Sequence, residues 1–216
     1  MKSLEKIKLL PAREQVASIL RKAILSRELI EGEEISLEEI AKKIGVSSMP
    51  VREALRILAE DGLVELRPNK RAIVLGIKKE TIIDHYETRA ILEYEAAVKV
   101  CEEGKNIEAI KKAYNLSLEA IKENDGEAYN YCNQAFHMSI WEAAGNKKIE
   151  NILQSLWNGL SQGYKVTKED YAKISIFEHK QILEAIEERD KEKVKQLMKE
   201  HIKRSLNNIL TNFENQ

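Results

Sequence analysis

Apolar residues recur along most of this chain at intervals of three and four, the spacing of a helix with one buried face. Val16, Ile19, Leu20, Ala23 and Ile24 form the first such stripe. Pro11 suits its start, because the N–H that proline lacks has no partner in a first helical turn. The stripe runs out near Arg27, and Glu31-Gly32 makes a turn. Ser36 followed three residues later by Glu39 is a capping box, opening a short helix with Leu37, Ile40, Ala41 and Ile44 on one face. Gly45 stops it. Ser47 caps a third helix, with Pro50 in its first turn and an inner face of Val51, Ala54, Leu55 and Leu58; Asp61-Gly62 ends it. The period then changes to two. Residues 63–66 and 72–75 alternate about the polar turn 67–71, the pattern of a β-hairpin.

After Gly76 only the helical period remains. Helices are expected near 79–103, 106–123, 126–144, 147–163, 169–188 and 190–212. Breaks fall at Glu103-Gly104, Asn124-Asp125-Gly126, Gly145-Asn146, around Val166-Thr167 and at Arg189-Asp190. All three prolines lie in the first third of the chain, so nothing of that kind interrupts the later helices. The expected fold is mainly α. A winged helix-turn-helix with a small hairpin wing (1–76) precedes an all-α helical-bundle effector domain (77–216), joined by a short linker near 75–78.

Composition narrows the function. With 43% apolar residues among 216, the chain can bury real cores, and without an apolar run of about 18 residues it predicts no membrane span. The charged N-terminus does not read as a signal peptide, which leaves the cytoplasm as the expected location. Cys101 and Cys132 form no CxxC pair, so neither a disulfide framework nor a zinc ribbon is expected. The net charge of −1 does not announce nucleic acid. Between Lys42 and Arg71, however, seven basic residues stand against four acidic ones.

The order helix, helix, tight turn, helix, hairpin is that of a DNA-reading unit, whose second helix enters the major groove with its N-terminal residues at the base edges. Ser47, Ser48, Met49 and Arg52 occupy that position, with Arg56 one turn further on. Arg52 is the best base reader, because its fork matches guanine O6 and N7. Ser47 and Ser48 suit phosphate or bases, and N–H groups at a helix N-terminus favour phosphate. Lys70 and Arg71 at the wing tip would follow the backbone or the minor groove. Winged helices also serve as protein-interaction modules, and a solvated helix face is the alternative for Arg52; the pattern favours DNA binding.

The expected effector domain holds all four histidines: His85, His137, His179 and His201. The turn at Arg189-Asp190 lies midway between His179 and His201, so an antiparallel helical hairpin sets those two at one height. Asn133 and His137 are four apart and share a face. An amide oxygen and three imidazoles on facing helices suit zinc, nickel or a similar divalent ion. From spacing alone, ordinary core or surface histidines are the favoured reading. Arg89 and Glu93, also four apart, suit either a clamp for a ligand carboxylate or a plain intrahelical ion pair.

The run GVSSMPVREALRILAEDGLVE resembles the recognition helix of GntR-type regulators, and the second half resembles their all-helical effector domain of the FadR C-terminal (FCD) type. That resemblance implies sequence-specific DNA binding, a regulator rather than an enzyme, and most naturally a repressor. It also implies a metal site, since many such domains carry Asp and His four apart and two further histidines on the last two helices. His137 in NQAFH, His179 in FEHKQI and His201 in MKEHI match those histidines, while Asn133 stands where the carboxylate is common. His85 matches none and is taken as structural. In the resembled family the Arg-x-x-x-Glu pattern of Arg89 and Glu93 faces the effector cavity, which implies a small-molecule effector, most simply a carboxylate. Two departures bear on the operator: Ser48 where Arg is frequent, and Lys70-Arg71 where the wing often ends in Arg-Gly. The expected partners are a pseudo-palindromic double-stranded operator and a second copy of the chain. The alternatives are a metal sensor without an organic effector and, less favoured because no general base accompanies the histidines, a metalloenzyme.

Overall fold

The structure, a computed structural model, describes residues 11–69, 71–158 and 169–214. The chain divides into two compact units after Thr81; of the later described residues, Asn158 groups with the first unit and the rest with the second.

In the first unit, α1 (Ala12–Leu25) begins after Pro11, which sits at the N-cap rather than inside the helix. Its buried face is Val16, Ala17, Leu20, Ile24 and Leu25, while Ile19, expected to face inward, is 47% exposed. α2 (Leu37–Ile44) opens at Ser36, whose hydroxyl accepts the Glu39 N–H at 3.5 Å. It closes at Gly45, whose φ of 77° is the left-handed geometry that lets its N–H turn back to the Ala41 carbonyl. α3 (Ser48–Glu60) buries Val51, Ala54, Leu55 and Leu58 against this core.

The hairpin is β2 (Val64–Arg67) and β3 (Arg71–Val74), in antiparallel register with Val64 opposite Val74 and Leu66 opposite Ala72. A third strand, β1 (Glu34–Ser36), pairs antiparallel with the other edge of β3 and sets Ile35 opposite Ala72. The sheet order is therefore β1-β3-β2. Ile35, Val64, Ala72 and Val74 all enter the core of this unit.

The regular elements of the second unit, among its described residues, are all helices. Its helices are α4 (Lys79–Val100), α5 (Glu108–Lys122), α6 (Gly126–Ala144), α7 (Lys147–Leu156), α8 (Glu169–Glu187) and α9 (Lys191–Glu214). Asp125 caps α6 by accepting the Glu127 and Ala128 N–H groups, and Asn146 caps α7 through Lys148 and Ile149. Asp190 Oδ1 likewise accepts the Lys193 N–H at the start of α9. α7 stops as a regular helix at Leu156, short of the expected 163; residues 159–168, with the expected break at Val166-Thr167, lie outside the described residues. α5 packs on α6 and α8, and α8 packs on α9. No helix among the described residues is long and apolar enough to cross a membrane.

Candidate functional site

The exposed face of α3 is the first candidate. Ser47, Ser48, Met49, Arg52 and Arg56 are all exposed, with Met49 at 59%, while the opposite face of the helix is buried. Ser47 holds the N-cap position in extended geometry, but its side chain makes no cap hydrogen bond. The hydroxyl and the first N–H groups of α3 therefore stay available to an anion. Arg52 and Arg56, one turn apart, follow along the same surface. At the wing, Arg71 is exposed and donates to Glu34 Oε1 at 2.9 Å, across the β1–β3 pairing. That bond raises its pKa further. Lys70 lies outside the described residues.

The second candidate lies inside the helical unit. His137 on α6, His179 on α8 and His201 on α9 are buried, between 0% and 3% exposed, and each turns a ligand nitrogen to a common point. His201 Nε2 lies 3.3 Å from both His137 Nε2 and His179 Nε2, and the three ligand atoms fall within 4.8 Å of one another. Phe136 stacks on the His179 ring with centroids 4.2 Å apart. Asn133 is half-buried on α6, one turn before His137. His85 stands apart, edge-on to its neighbour Tyr86 at 5.2 Å.

Carboxylates hold two of the rings from behind. Glu93 Oε2 accepts from His137 Nδ1 at 2.7 Å and from Trp141 Nε1 at 3.1 Å, and Glu93 Oε1 accepts from Arg89 Nε at 2.6 Å. The Arg89 guanidinium also lies 4.3 Å over the Trp157 ring. Glu178 Oε2 accepts from His201 Nδ1 at 2.6 Å, and Arg204 closes on both Glu178 oxygens. The Arg89–Glu93 pair read from spacing is thus formed, and its carboxylate faces His137.

The electrostatics follow from burial and neighbours. Burial pulls the His201 pKa down to about 4, helped by His137 and Arg204 against the opposing pull of Glu178. Burial, then His201 and His137, hold His179 well below the ordinary imidazole value. Burial alone would raise Glu93, but His137 and Arg89 outweigh it and keep the carboxylate ionised far below its usual range.

These groups fit a divalent cation. An ionised carboxylate only accepts, so a neutral His137 or His201 that hydrogen-bonds to it does so as the Nδ1–H tautomer. When neutral, both then direct an Nε2 lone pair into a 3.3 Å contact. Two lone pairs at that separation repel unless a cation lies between them, either a proton or a metal ion. A proton serves one pair of rings, whereas three converging imidazoles serve one ion. His179 Nδ1 is buried and has no hydrogen-bond partner among the described residues, so none of them fixes the tautomer of this ring from behind.

Sequence reading missed Glu178, Arg204, Trp141 and Phe136. Three signals were present in the spacing: Glu178 adjoins His179, Arg204 follows His201 by three, and Trp141 follows His137 by four, so the last two share a face with their histidine.

Comparison with known proteins agrees with both units. Residues 12–74 match the bacterial regulatory proteins of the gntR family, and residues 84–204 match the FCD domain. The chain is 28% identical over 194 residues to an uncharacterized HTH-type transcriptional regulator, YdhC, of Bacillus subtilis, covering 84% of each protein. It is 33% identical over 153 residues to the gluconate operon transcriptional repressor of the same species, covering 68% of this chain and 59% of that one. Among solved structures, Escherichia coli McbR/YncC superposes with a TM-score of 0.72 at 19% identity, over 95% of this chain and all of the other, a likeness of fold. The chain belongs to the GntR family of bacterial transcription regulators, with an FCD domain as its second part. It is a DNA-binding regulator and not an enzyme.

Proposed function

We propose that this regulator is a repressor that binds a pseudo-palindromic operator as a homodimer and is controlled by a metal-dependent effector site. Residues 1–76 read DNA, and residues 77–216 bind the ligand and dimerise. Operator contact comes from Ser47, Ser48, Met49, Arg52 and Arg56 on the recognition helix, with Lys70 and Arg71 on the wing. One recognition helix reads one half-site, and a second copy supplies the other half and the further phosphate contacts that tight binding needs. The repressor names of the gluconate operon relative and of RspR of Escherichia coli support the direction of control.

The observation that carries the effector reading is the convergence of three buried imidazole nitrogens. His137, His179 and His201 hold one divalent ion, zinc or nickel, and Asn133 or water completes the shell. A neutral amide is a weaker ligand than a carboxylate, so Asn133 lowers affinity relative to a site with Asp there. When bound, the ion supplies a fixed positive charge and a coordination position for an anionic ligand. Arg89 is the natural clamp for the carboxylate of such an effector, and Glu93 holds Arg89 and His137 in place for it. Because Arg89 is already paired in this structure, a pure metal sensor without an organic effector is the second reading.

Metal analysis of wild type and His179→Ala, with melts in chelator and in added zinc or nickel, tests the site. We expect bound metal and a raised melting temperature for wild type only, since an ion that binds only the folded chain stabilises it by mass action. Metal-free wild type purified without chelator, with no melting change on adding either ion, refutes it. Operator titrations with metal alone and with metal plus small carboxylates separate the two readings.

A further inference from the structure

The surroundings of His201 go beyond a single supporting bond. Glu178 Oε2 accepts from His201 Nδ1, and Arg204 donates Nε to one Glu178 oxygen and Nη2 to the other, each at 2.6 Å. The Arg204 guanidinium lies 4.4 Å over the Tyr171 ring. The Tyr171 hydroxyl meets Ser205 Oγ at 2.9 Å, and Ser205 Oγ donates to the His201 carbonyl at 3.1 Å. The contacts therefore close on themselves, from the His201 ring through Glu178, Arg204, Tyr171 and Ser205 back to the His201 backbone. Arg89, Glu93 and His137 repeat the order arginine, carboxylate, imidazole on α4 and α6. Among the described residues His179 has no such support: its Nδ1 is unpartnered there, and Phe136 stacks on its ring.

We propose that Glu178, clamped by Arg204, is a positioning residue that fixes His201 as the Nδ1–H tautomer and aims Nε2 at the triad. An ionised carboxylate offers no proton, so a His201 carrying hydrogen only on Nε2 would set two lone pairs face to face at 2.6 Å. The bidentate arginine holds the carboxylate plane, so the ring cannot turn without breaking charge-assisted bonds. Carboxylates behind ligand histidines commonly contribute 10–100-fold to metal affinity. The value of this residue to the metal rests on the proposed function; the tautomer does not.

Two measurements on the full-length protein test the assignment. Long-range 1H–15N spectra of the metal-free protein report which ring nitrogen of His201 carries the proton. Competition with a chromophoric chelator gives the zinc dissociation constant of wild type, Glu178→Leu, Glu178→Gln and Glu188→Gln. We expect Nδ1–H on His201 in wild type and loss of that preference in Glu178→Leu. The zinc constant of Glu178→Leu should rise about 10–100-fold. Glu178→Gln keeps an oxygen for Nδ1–H and should fall much nearer to wild type, and Glu188→Gln should match wild type. A wild-type His201 protonated only on Nε2, or a folded Glu178→Leu with an unchanged zinc constant, overturns the proposal. The wild-type spectrum decides even if Glu178→Leu does not fold. Wild type that binds no zinc yet shows the Nδ1–H tautomer supports the positioning role and overturns the metal reading alone.

Discussion

Stripped of metal, the helical unit should lose stability on mild acidification, well before its carboxylates titrate. The perturbation is a shift from pH 7 to pH 5 in chelator. An unfolded histidine takes up its proton near pH 6.5, whereas buried His201 resists until about pH 4. Between those values the unfolded chain binds the extra proton, so stability falls as pH falls and is fully present above pH 6.5. The slope is about 1.4 kcal/mol per pH unit for one histidine, so His201 removes about 2 kcal/mol by pH 5 and about 3 by pH 4. His179, also lowered by burial and its histidine neighbours, adds with the same sign. Glu178 and Glu93 are held below their ordinary values by the cations they face, so their stabilising effect is lost only below about pH 4.5. They do not enter the pH 5–7 window. Against a typical total of about 5–15 kcal/mol, the histidine loss is large. Both tryptophans, Trp141 and Trp157, belong to this unit, so urea unfolding followed by tryptophan fluorescence reports on it alone. His201→Gln should flatten the pH dependence. A wild-type unfolding free energy unchanged between pH 7 and pH 5 in chelator would falsify the reasoning.

Other outcomes follow from single contacts. Arg52→Ala should weaken specific operator binding by about 1–3 kcal/mol and relax preference at one base per half-site; equal loss on random DNA in a gel-shift titration would show a phosphate contact only. Glu93→Ala leaves Arg89 buried without its carboxylate and should cost about 3–5 kcal/mol in denaturant unfolding; a loss under 1 kcal/mol refutes the central role given to that carboxylate. Asp125→Ala removes the acceptor for two N–H groups at the start of α6 and should cost about 1 kcal/mol, read from the same curves. Analytical ultracentrifugation should find a dimer, and a monomer both with and without operator DNA would defeat the operator arrangement.

The fold was largely legible because its signals are local. Ser36 with Glu39, Gly45, Asp125 and Asn146 mark helix ends through bonds made within a few residues, and the structure places those ends accordingly. The hairpin was found with each strand shifted by about one residue. β1 was missed because three residues carry too little alternation to register. Ile19 turned outward because Ala17 and Leu25 take the buried stripe, a choice set by what α1 packs against rather than by its own periodicity. At the histidine site, spacing set His179 and His201 level about their turn, and their Nε2 atoms lie 3.3 Å apart; Asn133 is half-buried one turn from His137. The chemistry behind the rings was not legible. Glu93 reaches His137 across 44 positions of sequence, and Arg204 reaches Glu178 across 26, so nothing in either local pattern marks the pairing.

The position of β3 between two short strands has a bearing on solubility. With both sides of β3 occupied, the sheet's open edges are β1 and β2, of three and four residues. An unpaired strand edge is a template for adding another strand, and that hazard grows when two copies of a DNA head are brought close together. Here the outer strand carries Glu65 and Arg67, bound to each other at 2.9 Å and about half exposed. A neighbouring sheet docking there would have to desolvate that ion pair for the return of only a few backbone bonds. Charge and brevity on one strand thus oppose edge-to-edge zipping of neighbouring molecules, and Glu65→Val with Arg67→Val should turn the same surface adhesive.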